Sequence, residues 1–228
     1  VSIVPTSGAV TSSAKNAIVN ELKNTYTVAS ITPVMIDPEY TNLRLGVSFT
    51  YNSKNTTKTQ ETLISNVNTT ISNFNTNNLS QFDSAFRHSQ FTKLVDDTDP
   101  SITSNITTVK LSKDFLPTLN TATKYTIPFN NALYNPHSGH DSDSGGILSS
   151  SGFFIVGDTN EMFLNDDGMG NVRLFYLVGG ATNTYVNNTQ GTIDYKNGLV
   201  ILNSLNISSV SNVDGVASTK VRIIVQPD

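Results

Sequence analysis

The feature that most constrains the fold is a change of periodicity near residue 116. Before this point, apolar residues recur mainly at the three- and four-residue spacings of amphipathic helices, with alternating segments between them. After it, helical spacing disappears and short β-type runs are separated by Gly, Asn, Asp and Ser. We therefore predict an α+β fold, with an α/β subdomain over residues 1–115 and a β-rich subdomain of hairpins over residues 116–228.

Two to three helices are predicted in the first part. A helix over residues 12–26 follows from an apolar stripe of Ala14, Ile18 and Leu22 behind a cluster of capping residues. A second, over residues 60–74, carries Leu63, Ile64, Val67, Ile71 and Phe74 at helical spacing, and Thr57–Gln60 fits the capping-box pattern. A short third helix contains Phe91, Leu94 and Val95 and ends at the acidic turn Asp96–Pro100, because proline disfavours helix in the residue before it.

The clearest strand is Leu43–Tyr51, in which apolar and polar residues alternate with period two. A further strand is predicted through Ile106, Val109 and Leu111, and the first part reads as strand, helix, strand, helix, strand. This order predicts helices on one face of a small mixed sheet. The strands predicted after residue 116 are Lys124–Phe129, Gly152–Val156, Glu161–Leu164, Val172–Leu177, Gly191–Tyr195, Leu199–Leu202 and Lys220–Val225. Two hairpins are predicted, one across Asn165–Asn171 and one across Lys196–Gly198, where Asn-Gly favours a type I′ turn.

The composition of the chain argues against several classes of partner. Charged residues make up 14% of the chain and the net charge is −4, whereas nucleic-acid binders usually show a clustered basic face. No apolar run reaches the roughly 18 residues of a membrane span, and there is no cysteine for a disulfide framework. The chain begins without Met inside a patterned segment, which indicates a piece of a longer polypeptide. We predict no nucleic-acid and no membrane partner.

One cluster of residues has the chemistry of a metal site. His137, His140, Asp141 and Asp143 are of the types that bind zinc and other divalent ions. They lie in the Gly-rich segment Asn135–Gly146, where no helix or strand is predicted to preorganise them. A solvated loop is therefore the favoured interpretation, and its role stays open.

The remaining candidates also favour structural roles. Asn165–Gly168 resembles a calcium loop, but the twelfth position is Tyr176 instead of the Glu that an EF-hand requires, so a tight turn is favoured. Only His88, His137 and His140 could act as a catalytic base, and the chain has no Gly-x-Ser-x-Gly elbow. Glu21 and Glu161 are candidate acids on predicted regular structure, each without a second acid nearby in sequence. We predict no catalytic, cofactor-binding or metal-binding residue, and no enzyme.

Several segments together resemble the baseplate wedge proteins of T-even-type contractile-tailed phages, which are related to the baseplate J-like group. They are Asn16–Leu22 with Ile31–Tyr40, the strand Leu43–Tyr51 with the helix Gln60–Phe74, the stretch Phe91–Ile102, and the late hairpin Gly191–Gly198. Each motif is a cap, an alternation or a turn, and it is their order that carries the resemblance. The likeness covers most of the chain.

The resemblance implies the C-terminal portion of a structural wedge subunit in the tail baseplate of a virion. It implies pairing with itself as a homodimer or ring and binding to other baseplate wedge proteins, around a tail tube whose sheath contracts. It supplies no catalytic residue and no cofactor. Two alternatives remain: a receptor- or carbohydrate-binding β domain over residues 116–228, and a metal-dependent hydrolase that uses His137, His140, Asp141 and Asp143.

Overall fold

The computed structural model describes residues 10–26, 32–35, 40–81, 84–135 and 146–228. These ranges hold the helices α1 (Ser12–Glu21), α2 (Gln60–Phe74) and α3 (His88–Asp96). The strands are β1 (Asn42–Tyr51), β2 (Ile102–Phe115), β3 (Thr123–Pro128), β4 (Ser149–Ser150), β5 (Phe153–Ile155), β6 (Met162–Asp166), β7 (Asn171–Val178), β8 (Thr182–Asp194), β9 (Leu199–Leu205), β10 (Ile207–Val210) and β11 (Val221–Val225). The predicted α+β fold with a β-rich part is confirmed.

The chain divides into two compact units. One comprises Val1–Tyr40 and Val47–Thr107, and the other comprises Thr41–Gly46 and Thr108–Asp228. Strands β1 and β2 each contribute residues to both units. None of the helices in the described part of the chain has the length and apolar character needed to span a lipid bilayer.

The first unit has a small core built by two consecutive helices. Leu63, Val67 and Phe74 of α2 are buried, as are Phe91 and Val95 of α3. The rings of Phe74 and Phe91 meet edge to face, with centroids 5.3 Å apart. Aromatic pairs favour this arrangement because the positive ring edge meets the negative ring face.

The order of elements differs from the predicted one. The described order up to residue 115 is helix, strand, helix, helix, strand, because α2 and α3 follow each other and pack together. The capping box predicted at Thr57 and Gln60 is also wrong. Helix α2 is capped by Thr59, whose Oγ1 accepts the backbone N–H of Thr62 at 3.3 Å.

Helix α1 forms where its pattern predicts it. Thr11 Oγ1 accepts the backbone N–H of Ala14 at 3.2 Å, and a π-helical turn, Leu22–Tyr26, continues the helix. None of the residues of α1 is buried. A short helix of this kind is marginal alone in water, since most helical stability in proteins comes from packing.

The eleven strands of the described ranges form one sheet. Its order is β1-β2-β11-β4-β6-β7-β8-β9-β3, with β5 paired to β6 and β10. The pairings among β2 to β11 are antiparallel. The core of the second unit lies on this sheet, with Phe153, Val172, Val200, Ile207 and Ile223 fully buried.

Both predicted hairpins are present. β6 and β7 pair from Met162 opposite Tyr176 to Asp166 opposite Val172, which confirms the first. β8 and β9 pair up to Asp194 opposite Leu199, which confirms the second. Its turn is not type I′, because that type needs positive φ at both central residues and only Gly198 (φ 62°) has it. The side chain of Asp194 accepts the backbone N–H of Asn197 there instead.

Candidate functional site

Asp166 is fully buried, and it holds the backbone at Gly146 and Leu148 by hydrogen bonds. Asp166 Oδ1 accepts the backbone N–H of Leu148 at 2.8 Å, and its Oδ2 accepts the Tyr195 hydroxyl at 2.6 Å. The backbone oxygen of Asp166 accepts the N–H of Gly146 at 2.8 Å. A β-carbon on Gly146 would lie 2.1 Å from Asp166 Oδ2, so this contact needs glycine. Burial raises the pKa of the Tyr195 hydroxyl well above its ordinary value, and the hydrogen bond to Asp166 adds to the effect.

The candidate metal ligands cannot be placed. His137, His140, Asp141 and Asp143 lie outside the described residues, as do all residues from 136 to 145. Within the described ranges, no group of three or more His, Asp or Glu side chains could hold a metal ion.

The carboxylate of Asp167 holds the turn between β6 and β7. Its Oδ1 accepts the backbone N–H groups of Met169 at 2.8 Å and Asn171 at 3.0 Å, and its Oδ2 accepts the Asn171 side chain at 2.7 Å. Burial raises the pKa of Asp167, but the hydrogen bonds from Asn171 and Met169 outweigh it and the pKa is lowered. The acidic residue therefore shapes a hairpin turn, as predicted.

A polar and aromatic cluster crosses strands β6, β7 and β8. Arg173 donates from Nε to Asn165 Oδ1 at 3.1 Å, and its guanidinium carbon lies 4.4 Å from the ring centroid of Tyr185. The Asn165 amide donates to the Tyr185 hydroxyl at 3.2 Å. The Phe175 ring lies 5.7 Å from that of Tyr185. Cation–π and hydrogen-bond contacts thus satisfy a nearly buried arginine.

Four charged residues from distant parts of the sequence form an ionic cluster in the second unit. Arg222 donates two bonds to Asp114, from Nε at 2.6 Å and Nη2 at 2.8 Å, and a third to Asp214 at 2.6 Å. Arg44 donates two bonds to the same Asp214, both at 3.1 Å. Sequence reasoning missed this cluster, because nothing local links positions 44, 114, 214 and 222.

The one candidate catalytic base in the described ranges is engaged by the backbone. His88 opens α3, and its Nε2 lies 3.2 Å from the carbonyl oxygen of Thr107. Asn105 fixes the same helix, donating from its amide to Thr92 O at 2.9 Å and to Asp96 Oδ1 at 2.7 Å. His88 thus contributes to the contact between α3 and β2.

Exposed apolar side chains include those on helix α2 and on the β7–β8 hairpin. On α2, Ile64 is 43% exposed among polar neighbours on one helix face, which are Glu61, Ser65, Asn68, Thr69 and Ser72. On the β7–β8 hairpin, Val178 is 52% and Val186 48% exposed. No residue from Leu174 to Ile193 is charged. Apolar surface of this kind marks protein–protein contacts when it forms contiguous patches.

The described residues form a β-rich fold in which buried polar side chains, among them Asp166 and Arg173, hold turns and strands. Residues 39–114 match the family of the baseplate structural protein gp6, C-terminal domain III, over 76 of the chain's 228 residues. The match supports a structural role and places the chain in the tail baseplate of a phage virion. Comparison of the chain with curated proteins finds no match.

Proposed function

We propose that the chain is a structural subunit of a baseplate wedge in a contractile phage tail. In this role it pairs with copies of itself and with neighbouring wedge proteins to form a ring around the tail tube. The observation that carries the proposal is the match of residues 39–114 to a baseplate structural domain.

Two exposed surfaces support a role in assembly. Ile64 on α2 and the pair Val178 and Val186 on the β7–β8 hairpin present apolar groups to solvent. The hairpin extends past its neighbours, since β6 pairs with β7 only as far as Tyr176 and β9 pairs with β8 only from Gly191. A two-stranded hairpin is marginally stable alone, so contact with another subunit would stabilise this extension.

Sedimentation velocity of the full chain at micromolar concentration tests the proposal. We expect a dimer or larger species whose population grows with protein concentration. A strictly monomeric chain that also fails to bind other wedge proteins would contradict the proposal.

A double lysine variant tests whether the β7–β8 hairpin is the contact. Val178→Lys with Val186→Lys adds charge to the uncharged hairpin and should weaken association, because burying an unpaired charge in an interface is costly. The control is Val216→Lys, at a residue 68% exposed in the turn between β10 and β11. If the unaltered chain, the double variant and Val216→Lys associate equally, the hairpin is excluded as the contact.

We further propose that the chain is not an enzyme and binds no cofactor. The polar clusters support this proposal because their hydrogen-bonding groups serve turns and strand anchoring. Metal analysis of the purified protein tests it, and stoichiometric metal that is lost in the His140→Ala variant would contradict it.

The division into domains at residues 1–115 and 116–228 stays a prediction. Leu119 is 48% exposed and is followed by Asn120, so the segment after β2 offers a site to chymotrypsin. Separate folded fragments after limited proteolysis there would support it, and cleavage followed by unfolding of both fragments would count against it.

A further inference from the structure

The ionic cluster of Arg44, Asp114, Asp214 and Arg222 reaches across the second unit from an edge strand to a turn. Asp114 lies at the end of β2, Arg222 lies in β11 and Asp214 lies in the connection between β10 and β11. Arg44 lies near the start of β1, which stands at the end of the sheet. The charges alternate in the order Arg44, Asp214, Arg222, Asp114, so each internal member has two partners of opposite sign.

Asp214 is held at the tip of a tight turn. Val213 and Val216 exchange two backbone hydrogen bonds, of 2.8 and 3.0 Å. Asp214 (φ 51°) and Gly215 (φ 79°) both have positive φ, as a type I′ turn requires. Aspartate and asparagine tolerate this conformation better than other side chains. The turn therefore presents a carboxylate in a fixed position.

The other polar attachments of the start of β1 come from β2, where Ser112 Oγ donates to Asn42 O at 3.5 Å and Thr108 Oγ1 donates to Gly46 O at 3.3 Å. β2 is the strand beside β1 in the sheet, and the described residues place no strand on its other side. Leu43 packs against the core of the second unit, whereas Asn42 and Gly46 are exposed. The two bonds from Arg44 to Asp214 therefore add an attachment of a different kind, which joins this segment to the turn between β10 and β11.

We infer that the four residues form an ionic latch that fixes the first half of β1 in the second unit and that weakens as ionic strength rises. Arg44 is 37% and Asp214 58% exposed at the side chain, so dissolved ions reach the outer pair. Arg222 and Asp114 are 20% and 26% exposed and are screened less. The latch thus has a firm inner pair and a labile outer pair.

The latch does not respond to pH near neutrality. Hydrogen bonding from Arg44 lowers the pKa of Asp214, and the bonds from Asp114 raise the pKa of Arg222. Asp114, Arg44 and Arg222 are the charged groups that contact this network from β2, β1 and β11. Asp214 therefore stays ionised until the pH falls below the ordinary aspartate range, and Arg222 stays charged at every pH near neutrality.

Hydrogen–deuterium exchange of the full chain tests the inference. Asp214→Asn keeps the size of the side chain and its tolerance of positive φ but removes the charge. We expect exchange of the amides of residues 42–46 to become about fivefold faster at low salt, as loss of about 1 kcal/mol in a surface ion pair predicts. Exchange of residues 172–176 in the central strand β7 should not change.

The matched control is Asp194→Asn, which alters another exposed aspartate that caps a turn of the same unit through Asn197. This control should leave residues 42–46 unchanged. Raising the salt concentration should accelerate exchange of residues 42–46 in the unaltered chain until it approaches the rate in Asp214→Asn. Exchange in Asp214→Asn should change little with salt, because the ion pair is already lost. Arg44→Gln should reproduce Asp214→Asn, and it replaces that variant if the turn fails to form.

Two results would overturn the latch. Equal exchange of residues 42–46 in the unaltered chain and both variants at low salt would show that the ion pairs do not hold β1. Faster exchange throughout the second unit would show that the cluster adds general stability instead of fixing this one segment.

Discussion

Glycine at position 198 is required by two separate constraints. It has φ 62°, and a β-carbon there would lie 2.0 Å from the backbone oxygen of Asn131. We predict that Gly198→Ala lowers the free energy of unfolding by about 2 kcal/mol or more, because strain and a backbone clash add. Gly215→Ala is the control, since Gly215 has φ 79° and nothing within 4 Å. It should cost about 1 kcal/mol. Urea denaturation measures both, and equal losses would show that the contact with Asn131 is unimportant.

Asp99 links the segment before α2 to the turn after α3, and its titration should appear in the stability of the chain. Lys58 Nζ lies 2.6 Å from Asp99 Oδ2, while Ser101 donates from its hydroxyl and its backbone N–H to Oδ1. These bonds, that from Lys58 first, lower the pKa of Asp99 from 3.8 to about 2.

Because the pKa of Asp99 is lower in the folded state, its contribution is complete above pH 3.8 and is lost as the pH falls toward about 2. We predict that Asp99→Asn is less stable than the unaltered chain near pH 6 and that the difference shrinks as the pH falls through this window. Denaturant titrations at several pH values measure it. A difference that stays constant down to about pH 2 would contradict the proposed role of ionised Asp99.

At the scale of elements, local patterns predicted helices better than long strands. α1 and α2 begin where threonine caps precede an apolar periodicity, and both signals are local. β8 runs over Thr182–Asp194, but only Gly191–Tyr195 was predicted as strand. The missed part, around Asn187 and Asn188, is rich in turn-forming residues, and its register with β7 is irregular there. Pairing with a neighbouring strand overrides the weak β preference of such residues, and that pairing is not visible in sequence.

Adjacent residues on α2 test which face of the helix carries the core. Leu63 is 0% exposed and Ile64 43% exposed. We predict that Leu63→Ala lowers the free energy of unfolding by about 2–5 kcal/mol, because it leaves a cavity. Ile64→Ala should cost less than about 1 kcal/mol. Thermal unfolding followed by far-ultraviolet circular dichroism distinguishes the two. Similar losses for both variants would mean that the packing face of α2 is wrongly assigned.

For the whole molecule, polar contacts between residues close in sequence could be predicted, whereas polar contacts between distant residues could not. Turn carboxylates such as Asp167 were predictable, because their partners lie within a few residues. Two other contacts could not be predicted from the sequence. Asp166 and Tyr195 are 29 positions apart, and Arg44 and Asp214 are 170 positions apart. Long-range polar contacts depend on strand order, which a single sequence does not specify.

Self-association of the folded chain should make its stability depend on concentration. If the dimer binds only folded chains, mass action raises the melting temperature as protein concentration increases. Over about a hundredfold range, the gain of about 1.4 kcal/mol per chain corresponds to a rise of about 3–5 °C for a chain of this size. Differential scanning fluorimetry measures the rise, and the hairpin variant with Val178→Lys and Val186→Lys should abolish it if the hairpin is the contact. A melting temperature that stays constant over the range, together with monomeric sedimentation, would leave association with other baseplate proteins as the remaining route to assembly.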